Sequence, residues 1–182
     1  MTIKPKGKLT VDTRSLVSIQ HNLAMARKHY AKFGLLGNDA STEGVTNAEV
    51  GAANEFGTRS QPARPFLAPS AKLNEKKYFE RMRGLLRKLI VNPTMAGQAA
   101  FVSGFQALAL VASVDVKNFI TRGAPIPPPN SESVTKRKIA LAFSNSKNEA
   151  DGNRRAGMIR TLVDTGRMVQ AITWAVLKRG VK

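Results

Sequence analysis

Few side chains in this sequence are spaced for covalent chemistry. His21 and His29 stand eight residues apart with no acid pair beside either, so neither a metal site nor a proton relay assembles around them. There is no cysteine, which removes thiolate nucleophiles, thiolate ligands and disulfides, and makes a reducing compartment the expected home. Serines are numerous, but no G-x-S-x-G elbow, phosphate-binding loop or dinucleotide glycine fingerprint accompanies them. The expectation is a protein that is not an enzyme and takes no cofactor.

One passage concentrates the remaining chemistry: NEFGTRSQPARPFL, Asn54 to Leu67, with Glu55, two phenylalanines, two arginines and two prolines. Arg64 precedes Pro65 and is therefore held towards extended geometry. A guanidinium restrained in this way loses little further entropy when it forks onto a partner. Two readings stand side by side: a salt bridge to a carboxylate such as Glu55 or Asp164, structural or between subunits, and a solvent-facing arginine. The salt bridge is favoured. Phe66 and Leu67 would anchor the same turn in an apolar pocket, so the passage reads as a clamp.

Charge is the loudest global signal. Against 29 Lys and Arg stand 12 Asp and Glu, a formal net of +17. Such an excess repels itself unless nucleic acid, an anionic membrane surface or an acidic protein neighbour answers it. At 182 residues with 42% hydrophobic and 6% aromatic content, the chain is expected to form one domain, residues 12–182, with an aliphatic, alanine-rich core. Residues 1–11, carrying Lys4, Lys6 and Lys8, read as a flexible basic arm. No apolar run follows them, so a secretory signal is not expected, and the chain reads as cytoplasmic or virion-borne.

The elements that must position the clamp follow from periodicity. Leu16, Ile19, Leu23 and Ala26 mark a helix after Asp12, and Tyr30 to Gly37 a short strand. Thr46-Asn47-Ala48-Glu49 has capping-box spacing and opens a brief helix that Gly57 closes. Ser70 to Val91 predicts an amphipathic helix with Phe79, Met82, Leu86, Leu89 and Ile90 on its apolar face. Its cations include Lys76, Arg83, Arg87 and Lys88, candidate contacts for DNA or an acidic partner; the plainer reading is a solvated face. With no stacking aromatics or reading helix, any nucleic-acid contact would be non-specific.

After Asn92-Pro93-Thr94 a second long helix is predicted, in which Val102, Phe105, Ala109, Ala112, Val116 and Phe119 step by three and four, without a charge from Val91 to Val114. Its length would cross a membrane. Gln98, Ser103, Gln106, Ser113, two glycines and many alanines instead favour a helix packed between neighbours on more than one side. GAPIPPPN, residues 123–130, is a stiff connector to a helix capped by Ser131. Residues 144–157 read as a mobile polar loop. Asp164, Thr165 and Gly166 form a turn into a last strand with Ile172, Trp174 and Val176 on one face. The expected class is α+β: a small antiparallel sheet packed with two long helices, plus the basic arm and the polar loop.

In order along the chain, NEFGT with PARPFL, PPPNSESVTKRK, and LVDTGRMVQAITWAV resemble the tail-completion or head-tail joining proteins of tailed bacteriophages, the virion morphogenesis family. The likeness runs from about Tyr30 to Lys178, and its paired E-F-G-T and P-A-R-P-F elements are specific. The resemblance implies a structural virion protein that forms a ring in the neck, a cyclic homo-oligomer of hexamer or dodecamer type. It implies contacts with head-connector and tail-tube or terminator proteins, after assembly in the host cytoplasm and away from membranes, while the basic surface would meet either acidic neighbours or the packaged DNA. By the same resemblance Glu55, Phe56, Gly57, Arg64, Pro65 and Phe66 would fix the turn on which subunit packing depends, and Asp164, Thr165 and Gly166 the approach to the last strand. The uncharged second helix and the 144–157 loop depart from the family's pattern.

Overall fold

The computed structural model describes residues 13–37, 44–122, 126–152, 162 and 167–180. Helix α1 (Thr13–Lys28) runs directly into strand β1 (His29–Leu35). Next come α2 (Asn47–Phe56) and the long helices α3 (Leu67–Val91) and α4 (Met95–Arg122). Helix α5 (Glu132–Ser144) follows the proline segment, and a five-residue helix α6 (Arg167–Ala171) leads into β2 (Ile172–Lys178).

β1 and β2 form a two-stranded antiparallel sheet, with His29 opposite Lys178 and Leu35 opposite Ile172. The sequence ITWAVLK favours this because β-branched and aromatic side chains suit a pleated, half-buried surface. An isolated pair of strands is marginal in water, so the sheet depends on α4, which packs against both strands. The α+β class with two long helices is what the chain adopts.

The α3–α4 hairpin turns over Asn92 and Pro93. Thr94 then starts α4, its Oγ accepting from the Gly97 amide at 3.2 Å. The two helices approach closely because Gly104 leaves room for Leu85; a Cβ there would overlap that side chain. Further along, Asp115 of α4 accepts from Lys77 Nζ at 2.7 Å and from the Tyr78 hydroxyl at 2.9 Å, tying the helices across the interface. The core gathers Phe66, Val116, Ile120, Ile126, Met168, Val169 and Ile172, all buried.

Several boundaries differ from the sequence expectation. Helix α3 begins at Leu67, three residues before Ser70, because Pro69 sits in the first turn, where a missing N–H is no loss. The buried face of α3 is also rotated from the expected one. Leu89 is buried, but Phe79 is 67% and Ile90 39% exposed, because α3 meets α4 through Tyr78, Leu85 and Leu89. Ile126 in the proline segment is core, which makes 126–130 part of the body and not a free connector. Of the expected loop 144–157, Ser144 ends α5 and residues 149–152 form a helical turn, with Phe143 so close to Gly152 that no Cβ would fit; 153–157 lie outside the described residues. So do the 1–11 arm, residues 123–125, and Asp164, Thr165 and Gly166.

α4 is long and apolar enough to cross a membrane by length and composition, and 39% of its most apolar stretch is buried. Among the described residues it is covered on one side only. Phe101, Phe105, Leu108, Ala112, Val116 and Ile120 face the core, while Ala99, Ser103, Gln106, Ala107, Leu110 and Val114 are exposed.

Candidate functional site

The Asn54–Leu67 corner is built from its two flanking helices. Thr46 and Glu49 close a complete capping box at the start of α2: the Thr46 amide donates to Glu49 Oε2 at 2.8 Å, and the Glu49 amide to Thr46 Oγ1 at 3.2 Å. These bonds to the Thr46 amide and then to its hydroxyl hold the Glu49 carboxyl below the usual carboxylate range. α2 ends at Phe56, and Gly57 turns the chain out with φ +76°. The left-handed conformation and the packing both require glycine, because a Cβ would lie 2.8 Å from the Ala63 nitrogen.

The reversed segment then bonds back onto the helix it has just left. The Arg64 amide donates to the Asn54 carbonyl at 2.6 Å, and Gln61 Nε2 donates to Asn54 Oδ1 at 2.8 Å. A small turn closes between Thr58 and Gln61, whose carbonyl accepts from the Thr58 amide at 2.8 Å. Asn54 is in turn fixed by its Nδ2 donating to the Val50 carbonyl.

Glu55 is the centre of the corner. Its buried carboxylate accepts from the amides of Phe66 at 2.7 Å, Leu67 at 2.9 Å and Ala68 at 3.0 Å. These are the free amides that open α3, whose own N-cap, Phe66, has no side-chain acceptor. A carboxylate from the preceding helix therefore caps the next one, and its charge complements the positive end of the α3 dipole. The sequence carried a hint: α3 opens on Phe66-Leu67 with no Ser, Thr, Asp or Asn to cap it, so the cap had to come from elsewhere.

Arg64 does not pair with Glu55, whose two oxygens accept those three amides. Its guanidinium forks onto two backbone carbonyls of the proline segment, Nε to Pro128 at 2.9 Å and Nη2 to Pro129 at 3.1 Å. Successive prolines lack N–H groups and leave their carbonyls without ladder partners, so a planar fork suits them well. Phe66, fully buried, belongs to the same core cluster as Ile126 of the proline segment. Pro65 is exposed, and Phe56 projects outward with 82% of its surface exposed.

The candidate cations of α3 are divided by helix geometry. Lys76, Arg83 and Arg87, at spacings of seven and four, line one exposed flank, and Lys88 lies about 100° further round. Between this flank and β1 runs a mostly apolar cleft of about 480 Å³, lined by Phe33, Ala71, Tyr78, Phe79, Met82 and Leu108, with Lys72 and Glu75 on its α3 wall. Neither histidine joins a site: His21 is exposed, and His29 Nδ1 donates to the Met25 carbonyl at 2.9 Å. Among the described residues no cluster of His, Asp or Glu could hold a metal ion.

Comparison with protein-family models, with curated proteins and with solved structures finds no match to this chain.

Proposed function

We propose that the protein is a structural virion component that forms a ring at the head-tail junction of a tailed bacteriophage. The observation that carries the ring is the outer face of α4, exposed and free of charge from Met95 to Val114 in a chain of net charge +17. Copies of so basic a chain repel each other wherever their cations meet. This face of alanine, serine, glutamine, Leu110 and Val114 lets them approach closely without that repulsion. The corner complements it, because Glu55, Arg64 and Phe66 make a rigid edge from which Phe56 projects as an apolar knob. The resemblance of NEFGT, PARPFL and LVDTGRMVQAITWAV to neck proteins supplies the location.

Sedimentation and electron microscopy of the purified full chain test the reading. A cyclic oligomer is expected, which Leu110→Arg dissociates without lowering the melting temperature of the monomer. A chain that stays monomeric at high concentration and is absent from purified particles ends the proposal.

The exposed row Lys76, Arg83 and Arg87 favours a second reading, a protein that binds nucleic acid through phosphates without sequence preference. It predicts duplex binding whose affinity falls steeply with salt and is lost on charge reversal at Arg83 and Arg87.

A further inference from the structure

The outer face of α3 carries an apolar stripe that the ring leaves unexplained. Phe79, Leu86 and Ile90 form a continuous stripe along it, with Met82 leading into the cleft beside β1. Phe79 is 67% and Ile90 39% exposed, on a helix whose neighbouring face, with Tyr78, Leu85 and Leu89, packs on α4. Four cations, Lys72, Lys76, Arg83 and Arg87, border the stripe, with only Glu75 and Glu80 to offset them.

We propose that this face docks an acidic amphipathic helix from a different protein. The stripe from Ala71 to Ile90 is about 30 Å long, enough for a helix of five to six turns laid alongside. Apolar side chains of that helix cover Phe79, Leu86 and Ile90, and one of them fills the cleft floored by Phe33, Met82 and Leu108. Its carboxylates lie along a single edge, facing Lys76, Arg83 and Arg87.

The pattern of charge selects this occupant over its rivals. A second copy would set α3 cations against α3 cations, and the sequence contains no acidic run to answer them. A bilayer surface is matched by a helix with cations on both sides of its apolar face. Here the far side of the stripe is the concave cleft, which a discrete side chain fills and a lipid surface does not. Nucleic acid would use the cations but leave the apolar stripe wet. The assignment is independent of the ring, which uses α4.

Fluorescence anisotropy with the folded full-length chain tests it. The probes are a labelled helical peptide of about six turns, with leucines on one stripe and glutamates along one edge, the same peptide with lysines for glutamates, a short DNA duplex, and phosphatidylserine vesicles. The acidic peptide is expected to bind at least about tenfold more tightly than its lysine analogue. Phe79→Ser with Leu86→Ser, and separately Arg83→Glu with Arg87→Glu, should each weaken it about tenfold or more. These side chains are exposed or half-exposed, and a circular-dichroism melt checks that each variant is folded. Equal binding of the two peptides, binding of neither, or preference for duplex or vesicles overturns the proposal. So does protection of α3 by self-association, read as loss of Phe79→Cys labelling in the oligomer. Ring formation is read separately by sedimentation, so the two proposals fail independently.

Discussion

Glu55 and Phe66 are joined across a chain reversal: the carboxylate of one accepts the amide of the other at 2.7 Å, while the Phe66 ring is fully buried in the core. The bond fixes where α3 begins, and the ring fixes how α3 sits on the rest of the fold. One residue from α2 therefore controls the start of a 25-residue helix.

Replacing Glu55 with alanine leaves three amides at the start of α3 without an acceptor. Hydrogen bonds to a charged group are worth about 1.5–3 kcal/mol each in favourable cases, and unmet buried donors add a penalty. A loss of about 2–4 kcal/mol in urea unfolding is expected, with Glu55→Gln losing less because one acceptor oxygen survives. A Glu55→Ala protein as stable as the parent would mean that water caps α3 equally well.

The Arg64 fork predicts a difference between two positively charged residues. Arg64→Lys keeps the charge but replaces a planar pair of donors with a single ammonium, which cannot hold the Pro128 and Pro129 carbonyls together. Hydrogen exchange of a peptide covering residues 130–135 should quicken in Arg64→Lys nearly as much as in Arg64→Ala. If lysine protects that segment as fully as arginine, the fork is not what holds it.

Gly57 is the third test of the corner. With φ at +76° and backbone atoms of Gln61 and Ala63 crowding the Cβ position, Gly57→Ala should destabilise by about 1–3 kcal/mol. For a chain of this size that lowers the melting temperature by about 2–4 °C per kcal/mol. A neutral Gly57→Ala would show that the reversal is soft.

How far the sequence foretold this depends on the range of each signal. The capping box of Thr46 and Glu49 and the Gly57 stop were legible because their partners lie within four residues. The long helices and the last strand were legible from period, and the first strand from Phe33 and Leu35 running into Gly37-Asn38-Asp39. The Glu55 cap and the Arg64 fork were not, because one joins positions eleven to thirteen apart and the other positions sixty-four and sixty-five apart, and no local pattern carries such pairings. The same limit explains the apolar face of α3. Periodicity placed Phe79 and Leu89 together, and only the packing of Leu85 over Gly104 decides that Leu89 goes in and Phe79 stays out. The α6 turn was too short to register as a period.

The last prediction concerns the other end of the α3–α4 interface and is a matter of pH. Burial, then the hydrogen bond to Asp115, then the charge of that carboxylate push Tyr78 well above the ordinary phenol range near 10. The fold therefore prefers the protonated phenol. Its contribution to stability is complete below about pH 10, where the unfolded chain also keeps its proton. Above that the unfolded chain ionises first and gains, so stability falls as pH rises towards the folded value. Lys77 shares the Asp115 carboxylate, so the tyrosine must be isolated by mutation. Tyr78→Phe should lower stability at neutral pH and flatten the decline above pH 10. In an absorbance titration of phenolate, the parent should show one tyrosine of its two ionising late, together with unfolding, and Tyr78→Phe should lose that late step. If the late step persists in Tyr78→Phe, the hydroxyl is not held by Asp115 in solution.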